Sequence, residues 1–218
     1  YKLDRLKQAE KLNPDQRMMR ILGSLQKLLQ LKEMPLHIEC FDNSNLSGSN
    51  AVAACVVFRK AKPCKKEYRR FTIKTVDGVD DYASMKEVVR RRYLRMQEEN
   101  TSFPNLIIAD GGVGQMEAIR QIVEDELHLN IPIAGLVKND KHRTNELLFG
   151  FPPQSIGLKV TDDTFKFLAQ VQDEVHRFAI AFHRKKRSKS QIKSELDEVK
   201  GIGEQSKNLL IKHFKSLK

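Results

Sequence analysis

Apolar residues recur at helical spacing near the start of the chain and then switch to alternation. Leu3, Leu6 and Leu12 suggest a first helical stretch, and Asn13-Pro14 supplies an N-cap followed by a proline at the first helical position. Met18, Ile21, Leu22, Leu25, Leu28 and Leu29 then form an apolar stripe ending before Pro35, the pattern of a helix packed along one side. From Leu36 the period shortens. Leu36, Ile38, Cys40 and Asp42 alternate with His37, Glu39 and Phe41, which predicts a strand whose apolar face finishes in a carboxylate. Residues 51–60 and 68–76 read as two more strands, joined by links containing Gly48 and Pro63, so three consecutive strands favour an antiparallel meander.

Beyond Asp80-Asp81 a helix carries Tyr82, Met85, Val89, Tyr93 and Met96 on one side. Leu106-Ile107-Ile108-Ala109-Asp110 is apolar up to its final acid, and Gly111-Gly112-Val113-Gly114 leads into a helix that runs through about Leu127. Residues 131–138 form a fifth strand, and a polar loop over 139–144 precedes the short apolar run Leu147-Leu148-Phe149. A long helix starts near Thr161, with Phe165, Leu168, Ala169, Val175, Ala179 and Phe182 on its apolar side. The order βββαβαβ followed by a long helix predicts an α/β fold, a mixed five-stranded sheet flanked by helices, ordered as in ribonuclease H-like proteins.

Two of these strands end in acids. Parallel neighbours in such a sheet bring their C-terminal ends together at a crevice, so Asp42 and Asp110 can meet across the intervening sequence. Paired carboxylates repel unless a cation lies between them, and oxygen ligands suit Mg²⁺ or Mn²⁺. Taken singly, Asp42 also suits a turn through Asn43-Ser44-Asn45, and Asp110 the start of a tight glycine loop. The pair is harder to explain that way, because a carboxylate closing an apolar strand is costly without a partner. The loop lacks the Gly-x-Gly-x-x-Gly spacing of dinucleotide sites; Gly111, Gly112 and Gly114 instead suit close approach of a nucleic-acid backbone.

His176, midway along the last helix, reads on its own first as a surface or satisfied core residue and only second as a metal ligand or a base; His183 is a weaker rival. Asp173, one turn earlier, is placed to orient the imidazole or to be a plain surface acid. Of the net charge of +11, residues 184–218 hold eleven Lys/Arg against four Asp/Glu, or +7, so the positive excess is concentrated at this end. Arg184, Lys185, Lys186 and Arg187 suit phosphate contact as well as the helix dipole. Val199-Lys200-Gly201-Ile202-Gly203 before a helix with Lys207 matches a helix-hairpin-helix, whose backbone amides can meet a phosphate.

Three cysteines, Cys40, Cys55 and Cys64, form no Cys-x-x-Cys, which argues against structural zinc. No apolar run approaches the ~20 residues of a membrane span. The start lacks an initiator Met and a signal-like segment, so a piece of a longer cytoplasmic protein is expected.

Seven ordered segments carry a resemblance to a known family. They are Ile38–Ser44, Tyr68–Arg70, Asp80–Tyr82, Arg91–Tyr93, Leu106–Gln115, Asp173–Phe178 and His183–Arg187, and Gly201-Ile202-Gly203 follows them. The chain resembles the C-terminal half of the C component of bacterial excinuclease ABC. That resemblance implies a ribonuclease H-like endonuclease domain over 36–190, preceded by a helical segment over 1–35 and followed by a partial helix-hairpin-helix over 195–218. It implies an Asp-Asp-His triad at Asp42, Asp110 and His176, holding divalent Mg or Mn and making the 5′ incision in damaged duplex DNA during nucleotide excision repair. The B component of excinuclease ABC is the implied partner, through segments this chain lacks. The competing readings are a non-catalytic DNA-binding or scaffold module, and an ATPase of the wider superfamily, against which no second glycine-rich phosphate loop is found.

Overall fold

The computed structural model describes residues 13–44, 52–76, 80–141 and 143–197 and the single positions 203, 205, 206, 209 and 213, with backbone alone for 44 and 183–197. Its sheet is built around β1 (His37–Ser44), which pairs antiparallel with β2 (Val52–Arg59) and parallel with β5 (Leu106–Ala109). β6 (Ile133–Lys138) continues the parallel run, and the antiparallel strands β7 (Thr144–Phe149) and β8 (Gln154–Ile156) extend that edge. On the other side β3 (Lys62–Pro63) and β4 (Arg69–Thr72) both pair with β2. The sheet therefore has eight strands in the order β3-β2-β1-β5-β6-β7-β8, with β4 also on β2.

Four of the five strands expected from the sequence, β2, β1, β5 and β6, form the centre, the fifth is β4 at one edge, and the differences lie at the edges. Only Leu147 and Leu148 are buried in β7, and β8 has no buried residue, so neither shows the alternation that marks a strand. The strand expected over 68–76 stops at Thr72 because the next backbone amides find another acceptor: Lys74 and Thr75 donate to the Glu87 carboxylate at 3.0–3.1 Å.

α1 (Pro14–Leu28) begins where Asn13 accepts from the Gln16 amide at 3.3 Å, and it buries Ile21, Leu22 and Leu25. α2 (Asp81–Glu98) is capped by Asp80, which accepts from the amides of Tyr82 and Ala83. α2 packs Tyr93 edge-on against Phe41, with ring centroids 6.1 Å apart. α3 (Val113–Arg120) runs on into a wider π-helical turn over Gln121–Glu126. α4 (Asp163–Asp197) covers the opposite face, where Phe167 meets Phe58 at 5.9 Å. Each such buried side chain stabilises the fold by roughly 1.5–3 kcal/mol.

One charged group lies deep in this core. Glu39, fully buried on β1, accepts from Arg92, from the Tyr93 hydroxyl at 3.2 Å and faces His37 Nε2 at 3.3 Å. It ties α2 to the strand that carries Asp42. The chain divides into two units, Tyr1–Ala179, which holds the sheet, and Ile180–Lys218. The expected helical stretch through Leu3 and Leu12, and the positions Gly201 and Lys207, lie outside the described residues.

Candidate active site

Strand register brings the two acids together. β1 and β5 are aligned with Phe41 beside Ala109, and the Asp110 amide donates to the Phe41 carbonyl at 2.8 Å. The next residue on each strand, Asp42 and Asp110, therefore stands at the same end of the sheet. Both carboxylates are almost closed off from solvent, at 7% and 4% side-chain exposure. α4 supplies His176, half exposed, with Nδ1 3.3 Å from Asp42 Oδ2. One ligand-capable atom from each of the three residues lies within 4.8 Å of the others. The three residues singled out in the sequence thus converge.

Two further side chains hold Asp110. Lys138 Nζ, at the end of β6, donates to Asp110 Oδ2 at 2.8 Å. Gln172 Nε2 on α4 donates to Asp110 Oδ1 at 2.7 Å and to the Leu136 carbonyl at 2.8 Å, while its own oxygen accepts from the Thr144 hydroxyl. Neither was singled out from the sequence. Gln172 did leave a signal, a polar residue on the apolar stripe of Leu168, Val175 and Ala179. Lys138 left none, because its closeness to Asp110 follows from the pairing of β6 with β5.

Burial raises the Asp110 carboxyl above its ordinary value and the Asp42 charge raises it further, against the opposing pull of Lys138 and Gln172. His176 is pushed up chiefly by its hydrogen bond to Asp42, which outweighs burial and the Lys138 charge. Two close carboxylates and an imidazole, with one acid resisting ionisation, make a donor set that a small divalent cation fits: hard oxygen ligands, one nitrogen and an unfavourable like-charge pair to neutralise.

The glycine loop packs tightly against its surroundings. A Cβ on Gly114 would lie 2.4 Å from the Tyr82 ring, and one on Gly135 of β6 would lie 2.8 Å from the Gly111 carbonyl oxygen. Gly135 thus lets the backbone after Asp110 settle onto β6, a requirement that the sequence reading did not assign. Gly112 caps α3 without a side-chain hydrogen bond to the helix amides. Asp173 lines a cavity with Phe58, Pro63, Phe165 and Arg177, and among the described residues no hydrogen bond joins it to His176, whose partner is Asp42. Arg184, Lys185, Lys186 and Arg187 continue α4, where only the backbone is described; Gly203 is exposed.

A mixed sheet with acids at the ends of adjacent parallel strands and a histidine from the long helix α4 defines a ribonuclease H-like nuclease fold. The model of the UvrC RNAse H endonuclease domain matches residues 26–180, and the chain belongs to that family. UvrABC system protein C of Bacteroides thetaiotaomicron is 68% identical over 218 residues, which is 100% of this chain and 36% of that protein. The Porphyromonas gingivalis protein of the same name is 51% identical over 220 residues, again 100% of this chain and 36% of its own length. This chain thus spans about a third of the curated relatives it matches. Among solved structures, Ciona intestinalis endonuclease V overlays with a TM-score of 0.36 at 12% identity, covering 57% of this chain and 58% of that one. Among the described residues no helix is long and apolar enough to cross a membrane.

Proposed function

We propose that this chain hydrolyses one phosphodiester of damaged duplex DNA, making the 5′ incision of nucleotide excision repair as the endonuclease part of a larger cytoplasmic protein. The observation that carries this reading is the convergence of Asp42, Asp110 and His176 within 4.8 Å at one end of the sheet. Asp42, Asp110 and His176 would hold a divalent cation, Mg²⁺ or Mn²⁺. When bound, such an ion polarises a phosphoryl oxygen and makes water more acidic.

The protein's own groups do the rest. Asp42 and Asp110 fix the negative charge that recruits the ion, and Gln172 sets the plane of the Asp110 carboxylate. His176 must be neutral to offer a ring nitrogen, either as ligand or as acceptor of a proton from the attacking water. In the metal-free chain Asp42 favours the protonated imidazole, so a cation binding here competes with that proton. Gly112 gives a phosphate close access to the backbone, with Gly111 and Gly114 making room beside it for Gln115 and Tyr82. Arg184, Lys185, Lys186 and Arg187, with Gly201, Gly203 and Lys207, supply contacts to the duplex remote from the cut. The B component of excinuclease ABC is the partner that directs the chain to a lesion, as the name shared by its relatives suggests.

The test is Asp42→Asn in the full-length protein, assembled with its repair partners on a duplex carrying one lesion. Loss of the 5′ cut, with folding and DNA binding retained, is expected. Cutting at the unsubstituted rate would refute the mechanism and leave a scaffold or DNA-binding role.

A further inference from the structure

A second feature of the same sheet face lies outside the Asp-Asp-His cluster. Asp42 pairs directly with Ala54 of β2, and Ala54 pairs directly with Arg70 of β4. Residues directly opposite in antiparallel pairs point to one face, so Asp42, Ala54 and Arg70 form a row across the sheet on the side covered by α4. Two strand spacings separate Asp42 from Arg70, roughly 10 Å between backbones. The middle residue of the row, Ala54, is fully buried, so the carboxylate and the arginine stand at either side of a covered position.

Arg70 is exposed, yet its guanidinium is not left to wander. It lies over the Phe178 ring, 4.3 Å from the centroid, two residues beyond His176 on α4. Phe178 is itself held edge-on by Tyr68 at 5.1 Å, and the Tyr68 hydroxyl donates to Glu174 at 3.0 Å. A guanidinium held over an aromatic face keeps its charge and its planar fork of donors, which suits phosphate oxygens. Arg70 thus places a cation on the same sheet face as Asp42 and against the helix that carries His176.

We infer that Arg70 clamps a backbone phosphate of the cut strand, on one side of the scissile bond and within roughly three nucleotides of it. This rests on the nuclease reading for the identity of the ligand. The alternative role is purely structural: Arg70 closing over Phe178 to seal the edge of α4.

The two roles separate by salt dependence. Binding of this chain to a labelled oligonucleotide duplex is measured in EDTA, so that no cutting occurs, from about 50 to 200 mM salt. Loss of one phosphate contact lowers the slope of log affinity against log salt by roughly 0.9, so the advantage of the unsubstituted chain over Arg70→Gln should shrink roughly three- to fourfold across that range. Arg70→Lys, which keeps the charge, should restore the slope. An unchanged slope in Arg70→Gln, or no measurable binding by the unsubstituted chain at the lowest salt, would overturn the proposal.

A phosphate walk on the unsubstituted chain needs no variant to fold. Single methylphosphonates placed along the cut strand should weaken binding at a position within about three nucleotides of the cut, on one side. Arg70→Lys should remain sensitive there, whereas no such position in the unsubstituted chain would overturn the assignment. Because these readouts do not involve cutting, an Asp42→Asn protein that still cuts would refute the nuclease mechanism without moving them.

Discussion

Replacing Gln172 with Leu tests whether the geometry of Asp110 is set by α4. The side chain is fully buried and serves three groups: it donates to Asp110 and to the Leu136 carbonyl, and it accepts from Thr144. Leucine has similar bulk and no polar atom, so packing survives while those groups lose a partner. A buried polar group without a partner costs about 1–3 kcal/mol, and groups sharing one side chain do not add fully, so a loss of roughly 3 kcal/mol is expected. In a domain of this size that lowers the Tm by roughly 6–12 °C. Removing the group that orients a metal ligand should also weaken Mn²⁺ binding by roughly 10–100-fold. Differential scanning calorimetry and Mn²⁺ titration of the metal-free chain read the two effects. A Tm within about 2 °C of the unsubstituted value, with Mn²⁺ binding unchanged, would show that Gln172 does not hold Asp110.

Other perturbations probe different parts of the account. Arg92→Leu leaves the buried Glu39 without its charged partner and should cost about 3–5 kcal/mol, read by urea unfolding; a loss under about 1 kcal/mol would show that Tyr93 and His37 suffice. Gly135→Ala puts a Cβ against the Gly111 carbonyl and Met116, both part of the packed core or its loop, and should cost about 1–3 kcal/mol while loosening the Asp110 loop; Gly114→Ala should be relieved by Tyr82→Ala, because the three nearest atoms belong to that exposed ring. His176 is raised in the folded chain, so its contribution is fully present below its ordinary value of 6.5 and is lost as pH rises through the higher folded value. His176→Gln should therefore flatten the metal-free stability profile just above pH 6.5, and a profile unchanged by the substitution would refute the Asp42–His176 hydrogen bond as its source.

How far the sequence reaches depends on the range over which each feature is set. Asp42 and Asp110 were visible because each closes an apolar strand, a local pattern, and a parallel pairing then places them together. Gln172 was partly visible as a polar intruder on an apolar helix face. Lys138 and Gly135 were not, since their roles arise from β6 lying beside β5 and from how closely a loop settles on it. The β7–β8 edge escaped for a different reason: few of its residues are buried, so hydrophobic alternation is too weak to mark it. The in-register row from Asp42 to Arg70 depends on two strand pairings, and no periodicity within either strand contains it.

The central claim is that Asp42, Asp110 and His176 together hold a divalent ion. Its most direct test is anomalous diffraction from crystals of this chain soaked in Mn²⁺. The expected result is a single strong peak within coordination distance of all three side chains, with Lys138 drawn off Asp110. Well-ordered side chains that keep the Lys138–Asp110 contact, with no manganese between them at saturating concentration, would contradict it.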